Sequence, residues 1–305
     1  MTTEAVLAVD IGGTNVRLAL VDATGNLLAD WRATLHLSHV QSETTMIDTI
    51  AELLRPTLRK HPVRAIGIGF PGFFDTSRGL LIASPNLPYI HNLPLAKLLT
   101  TALSVPVTLQ NDALCAALGE FHFGEGRDAS NLLHITLGTG VGGGLILNGQ
   151  PWTGESGMAM EFGHTRVHPE PTARWCGCGN QGCLEAYASA TAITRMYADI
   201  TGERLDAKQV QQRAREGDSL AHALWTQAGS SLGAAIAQCV VLLDIHRITI
   251  SGGLLGAWDL FYPALHNTLE RVVISAQRER VSVRASRLND RAGLLGAAIL
   301  ARLSL

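Results

Sequence analysis

The chain has 305 residues, enough for two domains of roughly 150 residues each, and its 47% hydrophobic and 16% charged content is that of a well-buried soluble protein. Twenty-four Lys and Arg stand against 26 Asp and Glu, a formal charge of -2 with no basic run, which argues against nucleic acid or an anionic membrane surface as partner and for a small soluble ligand. The N-terminus lacks the order of a signal peptide, and the odd count of five cysteines gives no disulfide framework, as expected of a cytoplasmic protein.

Val6 to Val9 is a short apolar run leading into Asp10-Ile-Gly-Gly-Thr-Asn-Val-Arg17, with a second run at Leu18 to Val21 and, after the Gly25-Asn26 turn, a third at Leu27 to Trp31. This predicts a β-meander with a Gly-rich first turn. Gly12 and Gly13 let backbone N–H groups approach an oxyanion, Thr14 adds a hydroxyl, and Asp10 at the strand end is placed to hold Mg2+ through water. Ser42 caps a predicted amphipathic helix from Glu43 to about Arg59. A strand over 65–70 ends in the turn Gly69-Phe-Pro-Gly72, where a parallel strand would present a ligand loop. In the loop Ser84-Pro-Asn-Leu-Pro88, Asn86 offers an amide suited to sugar hydroxyls and equally to a turn. Val105 to Leu109 reads as a strand ending in Gln110-Asn111-Asp112, followed by a helix from Ala113 to Phe121. Asp112, at a strand end and helix start, reads either as an available base or as a plain N-cap.

A strand at Leu132 to Leu137 is followed by the turn Gly138-Thr-Gly-Val-Gly-Gly-Gly144 and a strand at Leu145 to Leu147. This repeats the Asp10 hairpin roughly 125 residues on, as two related lobes each offering a glycine turn to a polyphosphate would. Further along, Glu161-Phe-Gly-His164 precedes Cys176-Gly-Cys-Gly-Asn-Gln-Gly-Cys-Leu-Glu185. Three thiols within eight residues, with glycines between them, can aim at one soft cation. Zinc needs a fourth ligand, from His164 or His168, with His164 preferred. Such a closed site is structural and contributes on the order of 10 kcal/mol to the order of its loop. It would also hold Glu161 and Glu185 in fixed positions, which suits a polyhydroxylated ligand.

Helices are predicted at Thr191 to Thr201, at Asp206 to Arg215 with Asp206 as cap and Gly217 as stop, and at Ser219 to Leu243. The last approaches membrane-spanning length, but its Ser230, Ser231, Gln238 and Asp244 make it a buried helix. Arg247 to Ile250 is a short strand leading to Ser251-Gly252-Gly253, a glycine turn on which a base or ribose can lie. Helices near Ala257 to Ser275 and Gly293 to Leu303 close the chain.

Taken together, Asp10-Ile-Gly-Gly-Thr14, Asn111-Asp112, the 137–143 turn, Glu161-Phe-Gly-His164, the cysteine run with Glu185 and Ser251-Gly-Gly253 resemble the ROK family of sugar kinases over essentially the whole chain. The resemblance implies an α/β, two-lobed actin-like ATPase fold (ribonuclease H-like, hexokinase-type) with an inter-lobe cleft. It implies a small lobe over 1–115, on which a C-terminal helix at 291–305 packs back, and a larger lobe over 116–290 carrying the zinc loop. Asp112 is implied as the base that takes the proton from a hexose 6-hydroxyl, with Asn86, Asn111, Glu161, His164 and Glu185 as further sugar contacts. ATP is implied to lie against Gly12, Gly13, Thr14, Gly138, Thr139, Gly140, Gly252 and Gly253, with Mg2+ near Asp10. Structural Zn2+ is implied on His164, Cys176, Cys178 and Cys183, His164 using one ring nitrogen for the metal and the other for a sugar hydroxyl. The implied activity is ATP-dependent hexose 6-phosphorylation, glucokinase-like or allose-kinase-like, in a homodimer. An acetamido-hexose such as N-acetylmannosamine, or fructose, is the alternative substrate, and polyphosphate an alternative donor. A sugar-responsive ROK repressor is disfavoured because only nine residues precede Asp10. The sequence departs from the family in having Met160 where a glycine usually precedes the glutamate of Glu-x-Gly-His, Ile245-His246-Arg247 where a proline-containing segment is usual, and a slightly long gap from His164 to Cys176.

Overall fold

The structure is a computed structural model that describes residues 5–12, 15–84, 87–169, 171–288 and 291–305, with the backbone alone at Ser38. The first elements in chain order are β1 (Val6–Ile11), β2 (Asn15–Val21), β3 (Leu27–Thr34), α1 (Glu43–Lys60), β4 (Ile66–Phe70), β5 (Phe73–Asp75), β6 (Leu80–Ala83), α2 (Leu95–Leu103), β7 (Val107–Asn111) and α3 (Asp112–Phe123). Then follow β8 (Leu132–Leu137), β9 (Val141–Leu147), β10 (Gln150–Pro151), α4 (Glu185–Ala188), α5 (Ala190–Thr201), α6 (Ala207–Arg215), α7 (Ser219–Leu243), β11 (Arg247–Ser251), α8 (Trp258–Val272), α9 (Ser275–Arg278), β12 (Ser282–Ala285) and α10 (Ala292–Leu303). Two compact units result, one of Met1–Arg127, Gly144–Ala159 and Asp290–Leu305, the other of Asp128–Gly143 and Met160–Asn289.

Both five-stranded sheets repeat one topology: β3-β2-β1-β4-β7 and β10-β9-β8-β11-β12. In the first, β1 and β2 form the antiparallel hairpin read from the sequence, and β4 runs parallel to both β1 and β7. In the second, β11 runs parallel to β8 and β12. The repeated hairpin seen in the sequence is therefore one part of a repeated sheet. Every residue of β4 is buried, as a parallel strand covered on both faces requires.

Local chemistry sets the helix starts. The Ser42 side chain accepts from Thr45 N–H at 3.2 Å, and Asp206 and Gln209 form a capping box. In the first unit, α10 packs on α3, β1 and β4, closely enough that a Cβ on Gly67 or Gly296 would run into the backbone of Ala297 or Cys115. In the second, α7 packs along α8, with Gly229 and Gly233 against the carbonyls of Phe261 and Leu265. Among the described residues α7 is the one helix long and apolar enough to cross a membrane, and half of its most apolar window is buried against the rest of the chain.

One reading differs from the structure, and several elements went unread. The glycine turn expected over 138–144 is confined to 138–140, and Gly142 to Gly144 are strand residues of β9. There they permit close approach: a Cβ on Gly143 would meet Phe162, and one on Gly144 would meet Ala117. The strands β5, β6 and β12 are too short to show a period, and α2 follows Pro94 without a side-chain cap, so none announces itself locally.

Candidate functional site

In the first unit, the C-terminal ends of three neighbouring strands gather the candidate carboxylates. Asp10 lies opposite Gly69 in the β1–β4 register and Phe70 opposite Asn111 in the β4–β7 register. Asp112 opens α3 directly beyond β7. The buried, free Cys115 lies beside both acids: burial raises its thiol pKa well above the usual value, with Asp10 and then Asp112 adding to the effect. A Cβ on Gly69 would stand 3.5 Å from both Asp10 Oδ1 and Cys115 Sγ, and one on Gly293, in the first turn of α10, 3.2 Å from the Asp10 carboxyl. The Asp10 carboxylate thus faces the positive end of a twelve-residue helix.

The N-cap position beside Asp112 is taken by its neighbour. Asn111 Oδ1 accepts from Ala113 N–H at 2.9 Å and Leu114 N–H at 3.3 Å, so Asn111 is the N-cap and Asp112 the first helical residue. Burial raises the Asp112 pKa, against the pull of the N–H groups of Ala113 and of its own backbone. The Asn111 amide expected to meet sugar is partly engaged within the protein, its Nδ2 donating to Gly72 O at 3.3 Å, which leaves the second Nδ2 hydrogen for a ligand. Asn86, Gly13 and Thr14 lie outside the described residues.

In the second unit, β8 and β11 end side by side, with Ser251 opposite Thr136, so the turns at Gly138 and Gly252 stand at adjacent ends of parallel strands, where open α/β sheets bind ligands. Gly252 has φ +104°, and a Cβ there would strike Leu137 O. Beyond Gly138 and Gly253 the space a Cβ would fill is open, so a flat or phosphorylated ligand can reach the backbone. The start of α5 holds the first turn: Ala190 N–H donates to Gly138 O at 2.9 Å and the Thr191 hydroxyl to Thr139 O at 2.8 Å. The glycine amides are less available than expected. Gly138 N–H donates to Gly140 O at 3.0 Å, and Gly12 N–H in the other hairpin to Asn15 O at 2.9 Å, because a tight hairpin uses its first amide to close itself.

The third cluster has the geometry of a metal centre. One donor atom each from His164, Cys176, Cys178 and Cys183 lies within 4.8 Å of every other. Cys178 and Cys183 sulfurs are 3.7 Å apart, and Cys176 Sγ is 3.6 Å from His164 Nδ1. A regular zinc tetrahedron has S–S edges of about 3.8 Å and N–S edges of about 3.6 Å, from bond lengths near 2.3 and 2.05 Å, so the donor set fits Zn2+. Burial pushes the Cys183 thiol up to about 12 and raises that of Cys176; a bound cation is what converts such thiols to thiolates. The alternative ligand His168 is engaged elsewhere, its Nε2 3.0 Å from Ser231 Oγ and its ring on Tyr187.

His164 points its other nitrogen, Nε2, at Glu161 Oε2, 4.0 Å away. Glu185 turns back to the glycine turn, where its Oε2 accepts from Val141 N–H at 2.9 Å. Only glycine at 140 leaves room for that carboxylate. Met160, immediately before Glu161, has φ +70°, a conformation glycine adopts freely and methionine at a cost, which gives a physical reason for the family's usual glycine. Two polar elements escaped the sequence reading. Cys115 lay inside an apolar helix pattern. His134 in β8 was signalled only by two hydroxyls, Thr249 and Ser251, spaced by two on β11.

The chain was compared with known proteins. The model of the ROK family matches residues 6–303. The glucokinase of Thermotoga maritima is 34% identical over 307 residues, covering 96% of each chain. The N-acetyl-D-glucosamine kinase of Salmonella typhimurium is 33% identical over 300 residues, 95% of this chain and 97% of the relative. The crystal structure of a ROK family glucokinase from Streptomyces griseus in complex with glucose and AMPPNP superposes with a TM-score of 0.82 at 32% identity, covering 98% of this chain and 99% of that one. Matched over nearly its whole length, the chain belongs to the ROK family and has the actin-like ATPase fold of its hexokinases.

Proposed function

We propose that the protein is a sugar kinase that transfers the γ-phosphoryl group of ATP to the 6-hydroxyl of a hexose. One observation carries the reading: the two glycine turns lie at adjacent ends of β8 and β11, with open backbone faces at Gly138 and Gly253. Phosphoryl transfer asks a protein mainly for alignment and charge neutralisation, and paired turns of this kind hold a nucleotide by its backbone-facing side. Asp112 is assigned as general base. Its raised pKa makes it the stronger acceptor, and a placed base contributes about 100-fold to 10,000-fold. Asp10 is the group that would bind Mg2+, whose role when bound is to neutralise the phosphate oxygens. Gly12, Gly13, Thr14, Thr139, Gly140 and Gly252 are assigned to the nucleotide; Asn86, Asn111, Glu161, His164 and Glu185 to the sugar.

His164, Cys176, Cys178 and Cys183 are assigned to structural Zn2+. With Nδ1 on the cluster side, His164 keeps Nε2 and Glu161 together for hydroxyl groups, which supports a polyhydroxylated substrate. The N-acetyl-D-glucosamine kinase relative, as similar as the glucokinases, supports an acetamido-hexose as the second reading. We further expect a cytoplasmic homodimer, supported by Val241, Leu242 and Leu243 exposed at the end of α7.

The test is a coupled assay of ADP release over hexoses and acetamido-hexoses, repeated with polyphosphate as donor. Turnover of a hexose with Mg-ATP is expected, and none with any sugar would overturn the proposal. Asp112→Asn is expected to retain sugar binding by calorimetry and to lose turnover by at least about 100-fold; an active variant would remove Asp112 from the role.

A further inference from the structure

Parallel strands covered on both faces normally read as continuous apolar runs. β8 and β11 break that rule with a buried polar cluster. His134 is fully buried in β8, opposite Thr249 in the register, and Thr249 and Ser251 project on the same face of β11. His134 Nδ1 is 2.8 Å from Thr249 Oγ1, and Nε2 is 2.9 Å from Ser251 Oγ. A neutral imidazole has one donor nitrogen and one acceptor nitrogen, so one hydroxyl donates to the ring while the other accepts from it. Both ring nitrogens are satisfied only when the two strands stand in this register, since a slip would bury unpaired polar groups.

This bridge has a particular position. Ser251 is the last residue of β11, bonded directly to Gly252, and His134 lies three residues before Leu137, whose carbonyl Gly252 touches so closely that no Cβ is tolerated. The side-chain bridge and that backbone contact both lie directly behind the turns at 138–140 and 252–253. The backbone ladder between β8 and β11 and the apolar side chains around it hold the strands together without specifying the angle at which the Ser251–Gly252 peptide leaves the sheet.

We propose that His134, acting through Thr249 and Ser251, is a positioning residue that locks the two glycine turns at the spacing a nucleotide requires. The inference rests on the reading of these turns as the nucleotide site. It predicts that the nucleotide side of the reaction depends on His134 while the sugar side does not.

The variant His134→Leu/Thr249→Val/Ser251→Ala replaces the bridge with apolar groups of similar size and leaves no buried polar atom orphaned. AMPPNP affinity by calorimetry and KM for ATP are expected to weaken by about 10-fold, the sugar KM to change less than about 2-fold, and amide hydrogen exchange at Gly252 and Gly253 to quicken in the ligand-free protein. Ser251→Ala alone, which keeps the Thr249 bond and removes only the link to the turn, is expected to shift ATP in the same direction by a smaller factor and serves if the triple variant does not fold. His134→Gln, whose amide also offers one donor side and one acceptor side, should restore part of the affinity. Unchanged AMPPNP binding in a folded triple variant or in Ser251→Ala, or equal losses for sugar and nucleotide, would overturn the proposal. Failure of the unmodified protein to bind AMPPNP would instead overturn the nucleotide reading on which it rests.

Discussion

Acid should weaken this protein in a way that traces to one ring. Burial, with no charged neighbour contributing, depresses the His134 pKa from 6.5 to about 3. A folded pKa below the unfolded value means that the unfolded chain binds more protons between the two, so the stability His134 contributes is complete above pH 6.5 and is lost as pH falls towards 3. At 1.36 kcal/mol per pKa unit the full loss is about 5 kcal/mol, and about 3 kcal/mol is gone by pH 4.5. Against the 5–15 kcal/mol typical of a folded domain, that is a large fraction. Urea unfolding followed by circular dichroism at pH 7 and pH 4.5, in the unmodified protein and in the His134→Leu/Thr249→Val/Ser251→Ala variant, isolates the effect. The thiols and carboxylates titrate alike in both proteins and cancel in the difference. The unmodified protein is expected to lose about 3 kcal/mol more than the variant, and equal losses in both would show that the buried imidazole is not held neutral as argued.

The proposed zinc site predicts one equivalent of zinc by elemental analysis and a lower melting temperature after chelation; Cys183→Ser, which removes a fully buried thiol of the cluster, should abolish both the metal and that chelator response. Met160→Gly relieves a left-handed residue and is expected to raise stability by about 1 kcal/mol in thermal melts, the left-handed strain outweighing the added flexibility of glycine; a destabilised variant would show that the Met160 side chain contributes more through packing. Gly138→Ala places a methyl in open space, so the melting temperature should hold while KM for ATP rises by roughly 10-fold. A lower melting temperature with unchanged KM would mean the turn serves the fold and not a nucleotide.

What was readable from the amino-acid order was local. The Asp10 and Gly138 hairpins, the Ser42 and Asp206 caps, the three cysteines spaced to meet one cation and the limits of α7 each depend on residues a few positions apart, where propensity, turn chemistry and period act directly. The cysteine run and the Glu-x-Gly-His segment were also specific enough to carry the family and, through it, the fold.

Other features depended on contacts between distant segments. Asn111 turns its Nδ2 to the carbonyl of Gly72, 39 residues earlier in the chain, because β4 and β7 end side by side. Glu185 bonds Val141 because the metal loop folds back on the β8–β9 turn. Gly143 and Gly144 lie in the strand β9 with Phe162 and Ala117 packed against them, where the sequence suggested a turn. His134 acquires a role only once β8 and β11 are in register, 115 residues apart in the chain. The order of residues by itself determined most of the strands, helices and turns, β5, β6, β12, α2 and the start of β9 excepted, since those choices are made within a turn or two of backbone. Which polar atoms each candidate residue has left for a ligand was decided by the tertiary structure alone, since a hydrogen bond is committed by whatever partner the fold brings within about 3 Å.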